Sequence, residues 1–78
     1  MSAFDAIIES YKAAKGFTKD IEVSQSLNME RTQYANYKAG VSRLPPVAVV
    51  QIADATGIDT RYILAASNEH WKKLPENE

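Results

Sequence analysis

The chain contains no cysteine, which excludes both a disulfide framework and a metal site built on thiolates. It also lacks an apolar run of about 18 residues, the minimum for a membrane-spanning helix. The start of the chain shows no basic flank followed by an apolar stretch, so we expect no signal peptide. From these absences we expect a cytoplasmic protein that does not contact a membrane.

Positive charge is also scarce, because nine Lys and Arg residues stand against ten Asp and Glu residues, for a net charge of −1. A strongly basic composition usually marks nucleic-acid binders, so the total argues against indiscriminate binding to polyanions. Along the chain, however, the charged residues from position 31 to position 43 are all basic: Arg31, Lys38 and Arg43. Such a basic face on a neutral body suits selective, salt-sensitive DNA binding, and chance is the alternative explanation.

The 78 residues, of which 45% are hydrophobic, suffice for one small domain. A core of this size gives marginal stability, for which oligomerisation is a common remedy. We expect residues 1–67 to form the domain and residues 68–78 to form a C-terminal extension. The segment VAVVQI is β-prone in isolation, but a Pro before it and a Gly after it favour a helix.

Apolar residues recur at helical spacing throughout, which predicts an all-α domain of five short helices. Ser2 is the expected N-cap of the first helix, and Gly16 is expected to end it in a left-handed conformation. Thr18 is the expected N-cap of the second helix. The predicted helices cover residues 3–15, 19–27, 31–39 and 46–56, and a fifth from about 60 to 67 or as far as 73.

The side chains expected in the core follow from the same spacing. Tyr34 and Tyr37 share one face of the third helix and should point inward, while Asn28 should adopt positive φ in the turn before it. The buried stripe of the first helix is expected to include Ala14. In the fifth helix the expected buried residues are Tyr62, Ile63, Leu64 and Ala66.

The segment DIEVSQSLNMERTQYANYKAGVSRLP resembles the helix-turn-helix of phage Cro and CI-type repressors, the XRE-like group. The resemblance rests on the Val23–Ser24 pair, the turn Leu27–Asn28–Met29, the helix start Glu30–Arg31 and the sequence Tyr-Lys-Ala-Gly at 37–40. It extends more generally over residues 4–66. It implies a lambda-repressor-like domain that binds double-stranded DNA as a homodimer, with no cofactor and no small-molecule substrate.

By this resemblance the third helix enters the major groove, where base edges carry a sequence-specific hydrogen-bonding pattern. Arg31 would bind guanine, Asn36 and Gln33 would pair with adenine, and the Thr32 methyl would meet thymine. Phosphates would be bound near the start of the second helix and by two basic side chains further along. The expected base-reading residues are Glu30, Arg31, Thr32, Gln33 and Asn36, and the expected phosphate contacts are Thr18, Lys19, Lys38 and Arg43.

Two acids depart from the family pattern. Asp20 stands where many relatives carry a Gln against a phosphate, and Glu30 replaces the usual Ser or Thr cap. Together with the net charge, they favour an alternative in which the fold serves as a protein-interaction module, such as an antirepressor or adaptor. A DNA-binding antitoxin is a third possibility.

The remaining candidate residues lie near the C-terminus. Trp71 and Leu74 are expected either to pack against the first helix or to form a dimer interface, where Trp is enriched. His70, the sole histidine, is expected at the surface or in an interface, and a metal site would need partners that the sequence lacks. No catalytic constellation is apparent in so small a chain, so we do not expect an enzyme.

Overall fold

A computed structural model describes residues 2–72, which form five α-helices and no strand. The predicted all-α fold is therefore confirmed. No helix in this range is long and apolar enough to cross a membrane. The helices are α1 (Ala3–Lys15), α2 (Asp20–Ser26), α3 (Arg31–Ala39), α4 (Pro46–Thr56) and α5 (Thr60–Lys72).

Local signals set most of these boundaries. At the start of α1 the Ser2 Oγ accepts a hydrogen bond from the Asp5 N–H at 3.1 Å, as a helix N-cap does. Gly16 ends α1 with φ of 76°, and Pro46 lies in the first turn of α4. The bounds predicted for α1, α3 and α4 are confirmed.

The start of α2 differs from the prediction, because its N-cap is Lys19 and not Thr18. The side chain that satisfies the helix start belongs to Glu22, in the first turn. Its Oε1 accepts from the N–H groups of Thr18 at 2.8 Å and Lys19 at 3.0 Å. A carboxylate within the helix thus replaces the hydroxyl cap that we expected.

The core lies where α1 packs against α4 and α5, and α2 and α3 contribute further residues to it. Inside the core, the loop before α4 is joined to α5, because the Leu44 N–H donates to the buried Ser67 Oγ at 3.0 Å. The buried apolar residues are Phe4, Ile7, Ile8, Tyr11, Val23, Leu27, Tyr34, Tyr37, Leu44, Ala48, Val49, Ile52, Ile63 and Ala66.

Three residues expected in the core lie at the surface. Ala14 is exposed near the end of α1, and on α5 the side chains of Tyr62 and Leu64 are 55% and 43% exposed. Only one face of α5 meets α1 and α4, and that face carries Ile63 and Ala66. The helix also continues to Lys72 through the expected domain boundary at residue 67.

Candidate functional site

The outer face of α3 is a polar surface. Arg31, Thr32 and Asn36 are exposed, and none of their side chains makes a hydrogen bond or ion pair within residues 2–72. The opposite face of α3 carries Tyr34 and Tyr37, which are 5% and 7% exposed, as predicted. Anchoring by two buried rings therefore leaves three unengaged polar side chains facing outward.

The turn between α2 and α3 holds this face in place. Asn28 has φ of 62°, which confirms the predicted left-handed residue, and the Met29 N–H donates to the Ser24 carbonyl at 2.9 Å. Ser24 is 1% exposed, and its Oγ donates to the Ile21 carbonyl at 2.9 Å. The small Ser24 side chain can thus be buried on α2 without an unsatisfied hydroxyl.

Gln33 and Glu30 are exposed but engaged at the start of α3. The Glu30 N–H donates to Gln33 Oε1 at 3.4 Å, and Gln33 Nε2 donates to the Tyr37 hydroxyl at 3.4 Å. The Gln33 amide therefore stabilises the first turn of the helix. Of the five residues predicted to read bases, Gln33 is the one whose side chain already has partners within the described chain.

The residues predicted to bind phosphate have different surroundings. Lys38 is half-buried, with its Nζ 3.7 Å from Asp5 Oδ1, and the Arg43 guanidinium lies 4.8 Å from the centre of the Trp71 ring. Thr18 and Lys19 are exposed. Their backbone N–H groups are bound by Glu22, so these donors are not available to a phosphate unless that carboxylate moves.

Asp20, the acid that departs from the family pattern, is paired. Its Oδ1 lies 3.0 Å from the Nζ of Lys12, and this hydrogen bond lowers the pKa of the Asp20 carboxyl. Lys12 also lies 3.4 Å from Glu9 Oε2. Lys12 could not be recognised as this partner from helical spacing, because it lies on the preceding helix, eight residues before Asp20.

Comparison of the chain with protein-family models, with curated proteins and with solved structures finds no match in any of the three. The assignment of a function therefore depends on the residues themselves.

His70 is half-buried and makes two contacts within the molecule. Its ring stacks on Phe4, with centroids 4.9 Å apart, and its Nε2 lies 2.7 Å from the Lys38 carbonyl oxygen. It therefore joins the end of α5 to the end of α3. No group of residues suited to a metal ion occurs within residues 2–72.

Trp71 is half-buried and contacts Arg43, in the loop that follows α3. This contact is intramolecular. A role for Trp71 in dimerisation stays a prediction, and Leu74 lies outside the described residues.

Proposed function

We propose that this protein is a sequence-specific DNA-binding transcriptional regulator of the Cro or CI type. In this proposal a dimer places α3 of each subunit in the major groove of a short palindromic operator and blocks RNA polymerase by occupancy. The observation that carries the proposal is the outer face of α3, whose unengaged side chains Arg31, Thr32 and Asn36 are held outward by a buried tyrosine pair.

The chemistry of this face suits base edges. The guanidinium of Arg31 can donate two parallel hydrogen bonds to guanine O6 and N7, and the Asn36 amide can pair with adenine N6 and N7. The methyl group of Thr32 can contact the thymine methyl. Lys38 and Arg43 would bind phosphates, which position the helix without reading sequence. To bind a phosphate, the Arg43 guanidinium would either move away from the Trp71 ring or remain over it.

The pairing of Asp20 with Lys12 supports the proposal. An isolated carboxylate beside the DNA backbone would repel phosphate, whereas the Lys12 ammonium, 3.0 Å away and shared with Glu9 at 3.4 Å, offsets part of the Asp20 charge. Glu30 is an exposed acid beside the base-reading residues. Its carboxylate could accept a hydrogen bond from cytosine N4, which would make it a specificity residue.

A dimer is proposed because apolar side chains on α4 and α5 are exposed. Val47 and Val50 are 67% and 57% exposed, and Tyr62 and Leu64 lie on the neighbouring helix. Covering such side chains with a second copy would remove them from water. Two recognition helices would then meet half-sites about one helical turn apart.

Titration against the DNA that flanks the gene tests the proposal. We expect a discrete shifted fragment at low salt, weakened at moderate salt, and lost preference for that fragment in Arg31→Ala. The matched control is Arg61→Ala, which removes the same charge from a side chain that is 89% exposed on α5. Absence of any shift at micromolar protein and low salt would reject DNA binding.

A protein-interaction module is the second candidate function. The exposed apolar residues of α4 and α5, together with a net charge of −1, favour a protein partner as well as a second copy. In that case a shifted fragment would be absent, and a heteromeric complex would be lost on Val50→Lys but retained on Arg31→Ala.

A further inference from the structure

A cavity of about 500 Å³ lies between α2 and α3, beside the outer face of α3. The cavity is more open to solvent than enclosed. Its lining comes from both helices and includes Asp20, Ile21, Arg31, Tyr34, Ala35 and Lys38.

Two cations, Arg31 and Lys38, and one acid, Asp20, line the cavity. Arg31 makes no ion pair within residues 2–72, while the Asp20 carboxylate is bound to Lys12 at 3.0 Å. Lys38 is 3.7 Å from Asp5, a longer and weaker pair. The guanidinium of Arg31 thus retains its full capacity to bind an anion, and Lys38 adds a second cation at the same cavity.

A buried hydroxyl in the lining also lacks a well-formed hydrogen bond. Tyr34 is 5% exposed, and its hydroxyl makes no hydrogen bond of standard geometry within the described chain. Burial raises the pKa of this hydroxyl, and the neighbouring Asp20 carboxylate raises it further, by its charge and as a weak acceptor of the O–H. Buried polar groups are nearly always satisfied, so a donor in a cavity wall with only this weak partner points to a ligand that accepts from it.

The rest of the lining is apolar. Ile21 on α2 faces Ala35 and Ala39 on α3, and these side chains offer no hydrogen bond to a ligand. Inorganic phosphate would leave this surface unused, because it has no apolar part. A ligand that fills the cavity therefore needs an apolar body in addition to its anionic group.

We propose that the cavity binds a small organic carboxylate with an apolar body. Arg31 and Lys38 hold the carboxylate, the Tyr34 hydroxyl donates to it after a small adjustment of the Asp20 side chain, and Ile21, Ala35 and Ala39 contact the body. Because Arg31 also belongs to the base-reading face, the ligand and the operator compete for one guanidinium. This regulatory consequence rests on the proposed function, whereas ligand binding itself does not.

Titration of the isotope-labelled protein with benzoate, followed by NMR, tests the site without DNA. We expect saturable shifts centred on the Arg31 side chain and on the amides of Ala35 and Ala39. Benzamide, the neutral isostere, and inorganic phosphate should each bind about tenfold more weakly, because one lacks the charge and the other lacks the apolar body. Equal binding of either probe, or shifts spread over other surfaces, would overturn the proposal.

Variants separate a ligand role from a structural one. Arg31→Gln should weaken benzoate binding about tenfold, and Arg61→Gln should leave it unchanged. Tyr34→Phe should weaken benzoate binding and raise the melting temperature, since it removes an unsatisfied donor. Weaker binding together with a lower melting temperature would assign the hydroxyl a structural role and overturn its part in the site.

Measuring DNA binding with and without benzoate distinguishes failure of this proposal from failure of the proposed function. In wild type, benzoate should raise the Kd for the operator fragment, and the rise should be smaller in Tyr34→Phe when each protein is compared with its own benzoate-free Kd. Benzoate binding without any DNA shift would retain the site and reject the regulator. DNA binding with no NMR response to benzoate would retain the regulator and reject the site.

Discussion

At the scale of single residues, removal of the hydroxyl from two buried tyrosines should change stability in opposite directions. The Tyr11 hydroxyl lies 2.9 Å from Ser26 Oγ, whereas the Tyr34 hydroxyl has no partner within residues 2–72. We expect Tyr34→Phe to raise the free energy of unfolding by about 1 kcal/mol and Tyr11→Phe to lower it by about 1 kcal/mol. Urea denaturation of both variants measures these changes. Destabilisation by both would show that the Tyr34 hydroxyl is satisfied in solution.

Asn28 is the residue on which the turn between α2 and α3 depends, because its φ of 62° suits few side chains. We expect Asn28→Gly to change the free energy of unfolding by less than about 0.5 kcal/mol, and Asn28→Val to lower it by about 1–2 kcal/mol. Thermal unfolding of the two variants provides the comparison. A Val variant as stable as the Gly variant would mean that the turn can take another conformation.

The carboxyls of Asp20 and Glu22 make the start of α2 sensitive to acid. The hydrogen bond from Lys12 lowers the pKa of Asp20, and the N–H groups of Thr18 and Lys19 lower the pKa of Glu22. Their stabilisation is present above the ordinary values of 3.8 and 4.5 and is lost as the pH falls through the lowered values. We therefore expect the melting temperature to decrease as the pH is lowered below these ordinary pKa values.

The variant Glu22→Gln tests whether Glu22 contributes to this acid sensitivity. Because glutamine does not titrate, its melting temperature should be lower than that of wild type at neutral pH and should fall less steeply in acid. Parallel curves for the two proteins, measured from neutral pH into acid, would show that Glu22 does not contribute to the acid response.

At the scale of helices, two glycines with similar backbone angles separate local strain from packing. Gly16 and Gly40 have φ of 76° and 83°, but an added Cβ meets nothing at Gly16 and meets the His70 carbonyl oxygen at 3.0 Å at Gly40. We expect Gly16→Ala to lower the free energy of unfolding by about 1 kcal/mol, from strain alone. Gly40→Ala should cost more, because α5 must also shift.

Denaturant unfolding measures both costs, and NMR shifts of His70 report the displacement of α5. Equal costs at the two glycines would contradict the close packing of α5 against the end of α3. This packing also bears on the candidate site, because the Lys38 carbonyl that binds His70 lies in the last turn of α3.

At the scale of the whole molecule, the exposed valines of α4 predict association. If two copies cover this surface, the melting temperature should rise with protein concentration. Val50→Lys should abolish that dependence, and Ser10→Lys, which adds the same charge at an exposed position on α1, should preserve it. Sedimentation of the three proteins measures the association directly. A concentration-independent wild-type monomer would contradict the proposed homodimer.

The helices could be predicted well from the sequence because their signals are local. The Ser2 cap, the Pro46 start and the left-handed Gly and Asn residues act over one turn, and the inward direction of Tyr34 and Tyr37 follows from helical spacing. The exposed set Arg31, Thr32 and Asn36 follows from the same spacing. Local signals did not fix the start of α2, where Lys19 is the N-cap and the Glu22 carboxylate accepts from the N–H groups of Thr18 and Lys19.

The five helices and the polar face of α3 can be read from the sequence, because both depend on residues a few positions apart. The support of that face depends on contacts between helices. The Lys12–Asp20 pair spans eight residues, and the bond between His70 and the Lys38 carbonyl spans 32. Such contacts, and the cavity lined by both α2 and α3, form only when packing brings separate helices together, and spacing along one helix does not encode them.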